Sequence, residues 1–263
     1  MSRQRSNSGD HRCVTPLYHI PMWIFDCVVR LYCNNRSGPV TTGPAAAKLK
    51  NYTIKNDTME NELIPPEVKG KNIDLKNSTE AATKEAAIAV FETARKRMLN
   101  PCLWQKISGP GSAAFVLMND KGVEENRPAQ KGDHIRIDIP GPGPATGDGY
   151  DWVRVEFIEE IDNPGNNEAS CGIKLRASSP PGGSTDKTAH FFKDDATSSF
   201  IIHRNGNKVT GSYHGRNEIP NTSTDKITDN IRNTMVAMGA IAVFSELQWK
   251  ALIKGFVDGV VEG

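Results

Sequence analysis

The densest run of chemically competent side chains is Tyr213-His214-Gly215-Arg216-Asn217-Glu218. A phenol, an imidazole, a guanidinium and a carboxyl at such short spacing can move a proton near neutrality or hold an anion. The run stands where a strand meets a loop, and such junctions often carry function on a rigid support. His214 is the expected acid/base, with Tyr213, Arg216 and Glu218 as its partners. The same run also reads as a hydrogen-bonded turn that seats the final helix. His190 and His203 are further candidate bases.

Other chemistries lack their residues. His134 and Asp138 stand on one strand at a separation of ~13 Å, too far to share an ion. There is no His-Glu-x-x-His and no paired-cysteine spacing, so no metal is expected. The Gly-Pro loop 141–149 has no Gly-Lys-Ser/Thr, Pro142 and Pro144 offer no N–H, and a strand follows it, so it is no phosphate loop and no cofactor is expected. A Gly-x-Ser-x-Gly nucleophile element is also missing. Glu159-Glu160 and Asp194-Asp195 are neighbours whose side chains diverge on a strand, so they form no carboxylate pair.

The elements that position these groups are readable from period and caps. Leu63-Ile64-Pro65-Pro66 reads as an extended lead-in, and 72–75 as a short strand. Ser78-Thr79 can cap a helix over 79–99, where Ala87, Val90, Phe91, Ala94 and Met98 recur at helical spacing. Asn100-Pro101 ends it, and Leu103, Trp104 and Ile107 suggest a further turn. Arg95-Lys96-Arg97 reads as a solvated face, with Glu92 paired to Lys96. The period then becomes two over 114–118, 134–139, 152–158 and 171–175, with 189–192 a further candidate strand. A hairpin spans 199–214. Asn205-Gly206 suits a type I′ turn, which sets Ile202 opposite Val209 and Phe200 opposite Gly211. A long amphipathic helix over 226–258 closes the chain, with Met235, Met238, Trp249, Leu252 and Phe256 on its stripe.

This order makes an α+β fold: a curved antiparallel sheet of about six strands packed on a long C-terminal helix. Asn100-Pro101-Cys102-Leu103-Trp104 after the first helix, the strand series 114–214 and helix 226–258 resemble the helix-grip superfamily of START, polyketide-cyclase and plant Bet v 1-like domains. The resemblance covers about the last three quarters of the chain and implies a cavity between sheet and C-terminal helix. Alternation directs Ile135, Ile137, Val155, Phe157, Ile173, Phe200, Ile202 and Tyr213 toward it, together with Met235, Met238 and Trp249 from the helix. Such a lining suits a small hydrophobic ligand. A tightly packed core with no cavity is the competing reading, since periodicity does not reveal empty space. His134, Arg136, Asp138, Arg154, Glu156, Lys174, His203 and Lys208 face outward.

Composition narrows the function classes. The chain has 263 residues, 37% of them hydrophobic and 24% charged, so it is neither wholly disordered nor polytopic. Residues 1–58 carry eight Lys/Arg against three Asp/Glu, leaving 24 basic and 28 acidic residues in 59–263. That slight acidity argues against nucleic acid as a partner. The uncharged stretch 13–25 is too short to span a membrane, and Pro16, His19 and Pro21 make it a poor signal. Residues 1–58 are thus expected to be a disordered or non-native extension, with Met59 an alternative start and 59–263 a single domain. Five cysteines without a paired pattern suit free thiols in a reducing compartment, the cytoplasm. Three functions follow: a binder of a small hydrophobic ligand, a cyclase- or hydrolase-type enzyme using His214, or a protein-interaction module of unassigned oligomeric state.

Overall fold

The computed structural model describes residues 62–140, 148–182, 188–221 and 245–258. The chain separates into units Met1–Ala46 and Ala47–Gly263, and every described residue belongs to the second. The extension 1–58, Met235, Met238 and the first part of the expected final helix lie outside the described residues.

Among the described residues seven strands form one antiparallel sheet: β1 Lys71–Glu80, β2 Ala114–Met118, β3 His134–Asp138, β4 Asp151–Asn163, β5 Glu168–Ala177, β6 Thr197–Asn205 and β7 Lys208–Glu218. Their spatial order is β1-β7-β6-β5-β4-β3-β2, so only β1 joins out of sequence. Helices α1 (Lys84–Met98) and α2 (Trp104–Ser108) stand between β1 and β2, and 245–257 form the described part of the C-terminal helix, α3.

The two sheet edges close on α3. On the β2 side the Ala113 N–H donates to Gln248 Oε1 at 2.9 Å, and on the β1 side Lys71 Nζ lies 3.3 Å from Glu246. Between those anchors Trp249, Leu252, Ile253, Phe256 and Val257 are buried on the sheet's inner face, joined by Phe91 and Met98 of α1 and by Trp104. This is a helix grip. Among the described residues no helix is long and apolar enough to cross a membrane.

Several local expectations are corrected. Ser78 and Thr79 do not cap a helix; they belong to β1, opposite Thr210 and Val209. The cap is Thr83, whose Oγ1 accepts the Ala86 N–H at 3.1 Å, so α1 starts at Lys84. Pairing with β7 takes Thr79 and Glu80 out of the expected helix. Leu63 ends a helical turn instead of lying in an extended lead-in. Residues 189–192 make only an isolated bridge, Phe192 with Pro220, because the Phe191 and Phe192 N–H groups go to Asp151 and His190.

The hairpin turn is Gly206-Asn207, with Asn205 opposite Lys208. Gly206 has φ +60° while Asn207 is not left-handed, the pattern of a type II′ turn. Phe200 therefore faces Tyr213, at a ring separation of 5.2 Å, and Ile202 faces Gly211. Both registers leave the same residues on the same faces, so hydrophobic alternation could not tell them apart.

Arg97 is no solvated side chain. Its Nη1 donates to the carbonyls of Gly255, Phe256 and Asp258 at 2.9, 3.3 and 2.7 Å. It thus satisfies the otherwise unpaired end of α3 with a cation where the helix dipole is negative. Glu92 pairs with Arg95, not Lys96, and Arg95 reaches on to Glu160 at 2.8 Å.

Candidate functional site

Strand β7 carries the four candidates Tyr213, His214, Arg216 and Glu218, and it deals them to opposite sides of the sheet. Tyr213 points inward and is fully buried, with Oη 3.1 Å from Ser198 Oγ and donating to Glu218 Oε1 at 3.2 Å. His214 and Arg216 point outward, toward Asp74 of β1. The expected group of four is therefore two pairs, separated by the backbone of the sheet.

Simple alternation would put Glu218 with His214. A bulge prevents it: β1 pairs Ile73 with Gly215 but Lys71 with Glu218, so β7 has one extra residue there. Asn217 absorbs it at φ +57°, a left-handed conformation that Asn tolerates better than most residues. Its side-chain carbonyl accepts the Val68 and Lys69 N–H groups at 3.1 and 3.2 Å, which holds the bend. Glu218 then turns inward beside Tyr213. The carboxyl lies over Gly215, where a Cβ would come 2.3 Å from Glu218 Oε1.

Burial sets the chemistry of this inner cluster. It pushes the Glu218 carboxyl up to about 7, against the lowering effects of the Tyr213 hydrogen bond and of Lys71. It also raises the Tyr213 phenol well above its usual value, and the neighbouring Glu218 charge adds to this. An acid that can be neutral near pH 7 and a phenol that stays protonated form a hydrogen-bonding patch on an otherwise apolar wall.

The outer pair behaves oppositely. His214 Nδ1 lies 2.5 Å from Asp74 Oδ1, and Nε2 lies 3.1 Å from Ser212 Oγ. Burial lowers the His214 pKa, opposed by Asp74, so the imidazole is neutral at pH 7. Burial alone would raise Asp74, but hydrogen bonds from Arg216, at 2.8 Å, and from His214 outweigh it and hold the carboxyl below its usual range. Of the other histidines, His203 lies on this outer face. Burial pushes His190 down to about 3, and its Nδ1 accepts the Phe192 N–H, a structural role.

The expected lining divides likewise. Ile135, Ile137, Val155, Ile173, Phe200, Ile202, Tyr213 and Trp249 are all buried in one cluster on the inner face. Phe157 is not among them. Glu156 is an extra residue in β4, which pairs Val155 with Leu175 but Phe157 with Lys174, and this flips Phe157 outward, 5.9 Å from Lys174 Nζ. Ile158 takes the inward place opposite Ile173. Around Phe200 the inner face is packed core: Trp104, Trp249 and Phe256 lie at ring distances of 5.3, 5.3 and 6.0 Å.

Sequence reasoning missed Ser198, Ser212 and Asp74. Ser212 precedes His214 by two on a strand, a same-face spacing that was available. Ser198 and Asp74 come from other strands, and only sheet pairing delivers them.

No protein-family model matches this sequence, and no curated protein is significantly similar to it. Solved structures it is similar to include a norcoclaurine synthase point mutant of Thalictrum flavum in complex with a transition-state analogue, 13% identical over 69% of this chain and 97% of that one, TM-score 0.30. Major latex-like protein 151 of Panax ginseng is 13% identical over 70% and 99%, TM-score 0.27. Ara h 8.0201 is 13% identical over 69% and 99%, TM-score 0.25. All three are Bet v 1-like helix-grip folds, and the helix-grip fold of this chain stands on its own strand order and on the helix held between its two sheet edges.

Proposed function

We propose that the domain binds a small, largely apolar molecule against the inner face of the sheet, with Tyr213 and Glu218 hydrogen-bonding its polar end. The observation that carries this reading is the Ser198–Tyr213–Glu218 cluster, a buried polar group on an apolar wall. Burying a carboxyl is costly, and a ligand partner is one use that offsets the cost. The binding unit is taken as 59–263, with 1–58 dispensable. Cys102 and Cys171 are free thiols, which supports a reducing compartment.

Native against denaturing mass spectrometry of the full chain tests the reading. Extra native mass that is lost on denaturation is expected, and it should fall in Glu218→Gln. Quenching of Trp249, stacked 5.5 Å from Tyr213, by an added apolar fluorophore gives a second readout. A bare mass together with no saturable quenching would overturn it.

A further inference from the structure

The outer face holds a second constellation, independent of the inner one. Ser212 and His214 sit on one face of β7, and Asp74 is the direct cross-strand partner of His214. Asp74 accepts the Nδ1–H of His214. That leaves the lone pair on Nε2, which faces Ser212 Oγ at 3.1 Å. The other acceptor for the Ser212 hydroxyl, the Ile201 carbonyl, is farther away at 3.5 Å. A nucleophile, a base and a carboxylate that orients the base thus stand in a line of hydrogen bonds, and such a set is recognised by geometry, not by sequence order.

The line opens on a space of suitable size. Ser212 and His214 border a cleft of about 650 Å³ on the outer face. Leu63, Ile64, Ile161 and Ile201 supply its apolar walls, and Lys76 and Lys208 its cations. Leu63 is anchored: its side chain fills the notch left by Gly172, and its carbonyl accepts the Ser199 hydroxyl. Lys76 is the cross-strand partner of Ser212. Strand β7 is paired on both sides, so the ladder takes the backbone N–H groups next to Ser212, and this ammonium is the group placed to meet a developing oxyanion.

We propose that Ser212, His214 and Asp74 form an acyl-transfer site that hydrolyses carboxylic esters with an apolar acyl group. Ser212 Oγ adds to the carbonyl carbon as its proton passes to His214 Nε2. The adduct then breaks its bond to the alcohol oxygen, and the alcohol leaves with that proton. Water, giving a proton to the same nitrogen, adds to the acyl-serine ester; the carboxylic acid departs and Ser212 recovers its proton. Ser212 and His214 touch the reacting atoms, and Asp74 is a positioning residue. The charged and titratable groups around His214 are Asp74 and Lys76 of β1, Arg216 of β7, and, farther along the cleft, His203, Lys208 and Glu168.

The test treats the full chain with a fluorophosphonate and locates the adduct by peptide mass spectrometry, with 4-nitrophenyl butyrate hydrolysis measured beside it. A single adduct on Ser212 is expected, absent from Ser212→Ala. His214→Gln should slow both labelling and hydrolysis by about a hundredfold. Asp74→Asn should slow them less and change the pH profile, which a merely structural carboxylate would not do. Adducts only elsewhere, or no adduct on Ser212 in the unaltered protein, would overturn the proposal whatever the variants' folding. A correctly folded His214→Gln that labels at the original rate would overturn it too.

Discussion

The two faces of β7 put similar groups to opposite uses. On the inner face Glu218 is buried beside Tyr213, and its carboxyl is pushed up to about 7. On the outer face Asp74 is half exposed between Arg216 and His214, and its carboxyl is held down. Both acids have hydrogen-bonding partners. The difference lies first in burial, which is deep at Glu218 and shallow at Asp74, and then in charge: Arg216 and His214 bond Asp74, whereas a neutral phenol bonds Glu218. Glu218 in the grip is thus a neutral donor or an ionised acceptor according to pH, and Asp74 on the outer face is held as an anion.

The comparison can be broken at four points. Phe200→Ala removes the ring that joins Trp104, Trp249 and Phe256, and should cost roughly 4 kcal/mol in urea unfolding. A loss below about 1 kcal/mol would mean the inner face is looser than its contacts indicate. Gly215→Ala puts a Cβ against the Glu218 carboxyl and should cost about 3 kcal/mol, as the acid is displaced and the Tyr213 bond is lost. Probe binding at the inner face should fall with it, while fluorophosphonate labelling of Ser212 continues.

Glu218→Gln sharpens the contrast through pH. As pH rises from about 4.5 toward 7 the unfolded chain releases the Glu218 proton while the fold retains it, so the folded state loses stability over that window. The glutamine variant escapes this loss. It should gain about 2 kcal/mol over the parent at pH 8 and little at pH 4; equal differences at both would refute the neutral carboxyl. Asp74→Asn should do the reverse. Asp74 contributes stability that is present above its unfolded value and lost as pH falls through the lowered folded one. The loss at pH 7 should stay below about 1 kcal/mol, because solvent screens an exposed ion pair, and should shrink in thermal melts as pH falls below about 4.

Much of this was legible in the chain. Alternation placed Ile135, Ile137, Ile173 and Ile202 inward, and α1's buried stripe from Ala87 to Met98 followed its helical period. The failures were equally local in cause. Phe157 and Glu218 each follow an extra residue in a strand, and one such residue inverts every side chain after it. The cap moved from Ser78-Thr79 to Thr83 because β7 recruited the earlier residues as an edge strand.

By itself the sequence determined the periods, the kind of each main element and most of the apolar inner set, since these depend on a few neighbouring residues and the geometry of the backbone. The tertiary structure decided which polar groups meet. Asp74 and His214 are 140 residues apart, and Glu218 joins Tyr213 only through a bulge held by Asn217. Register and bulges minimise the free energy of a whole sheet and its packed helices, so no window of the chain contains the terms that select them.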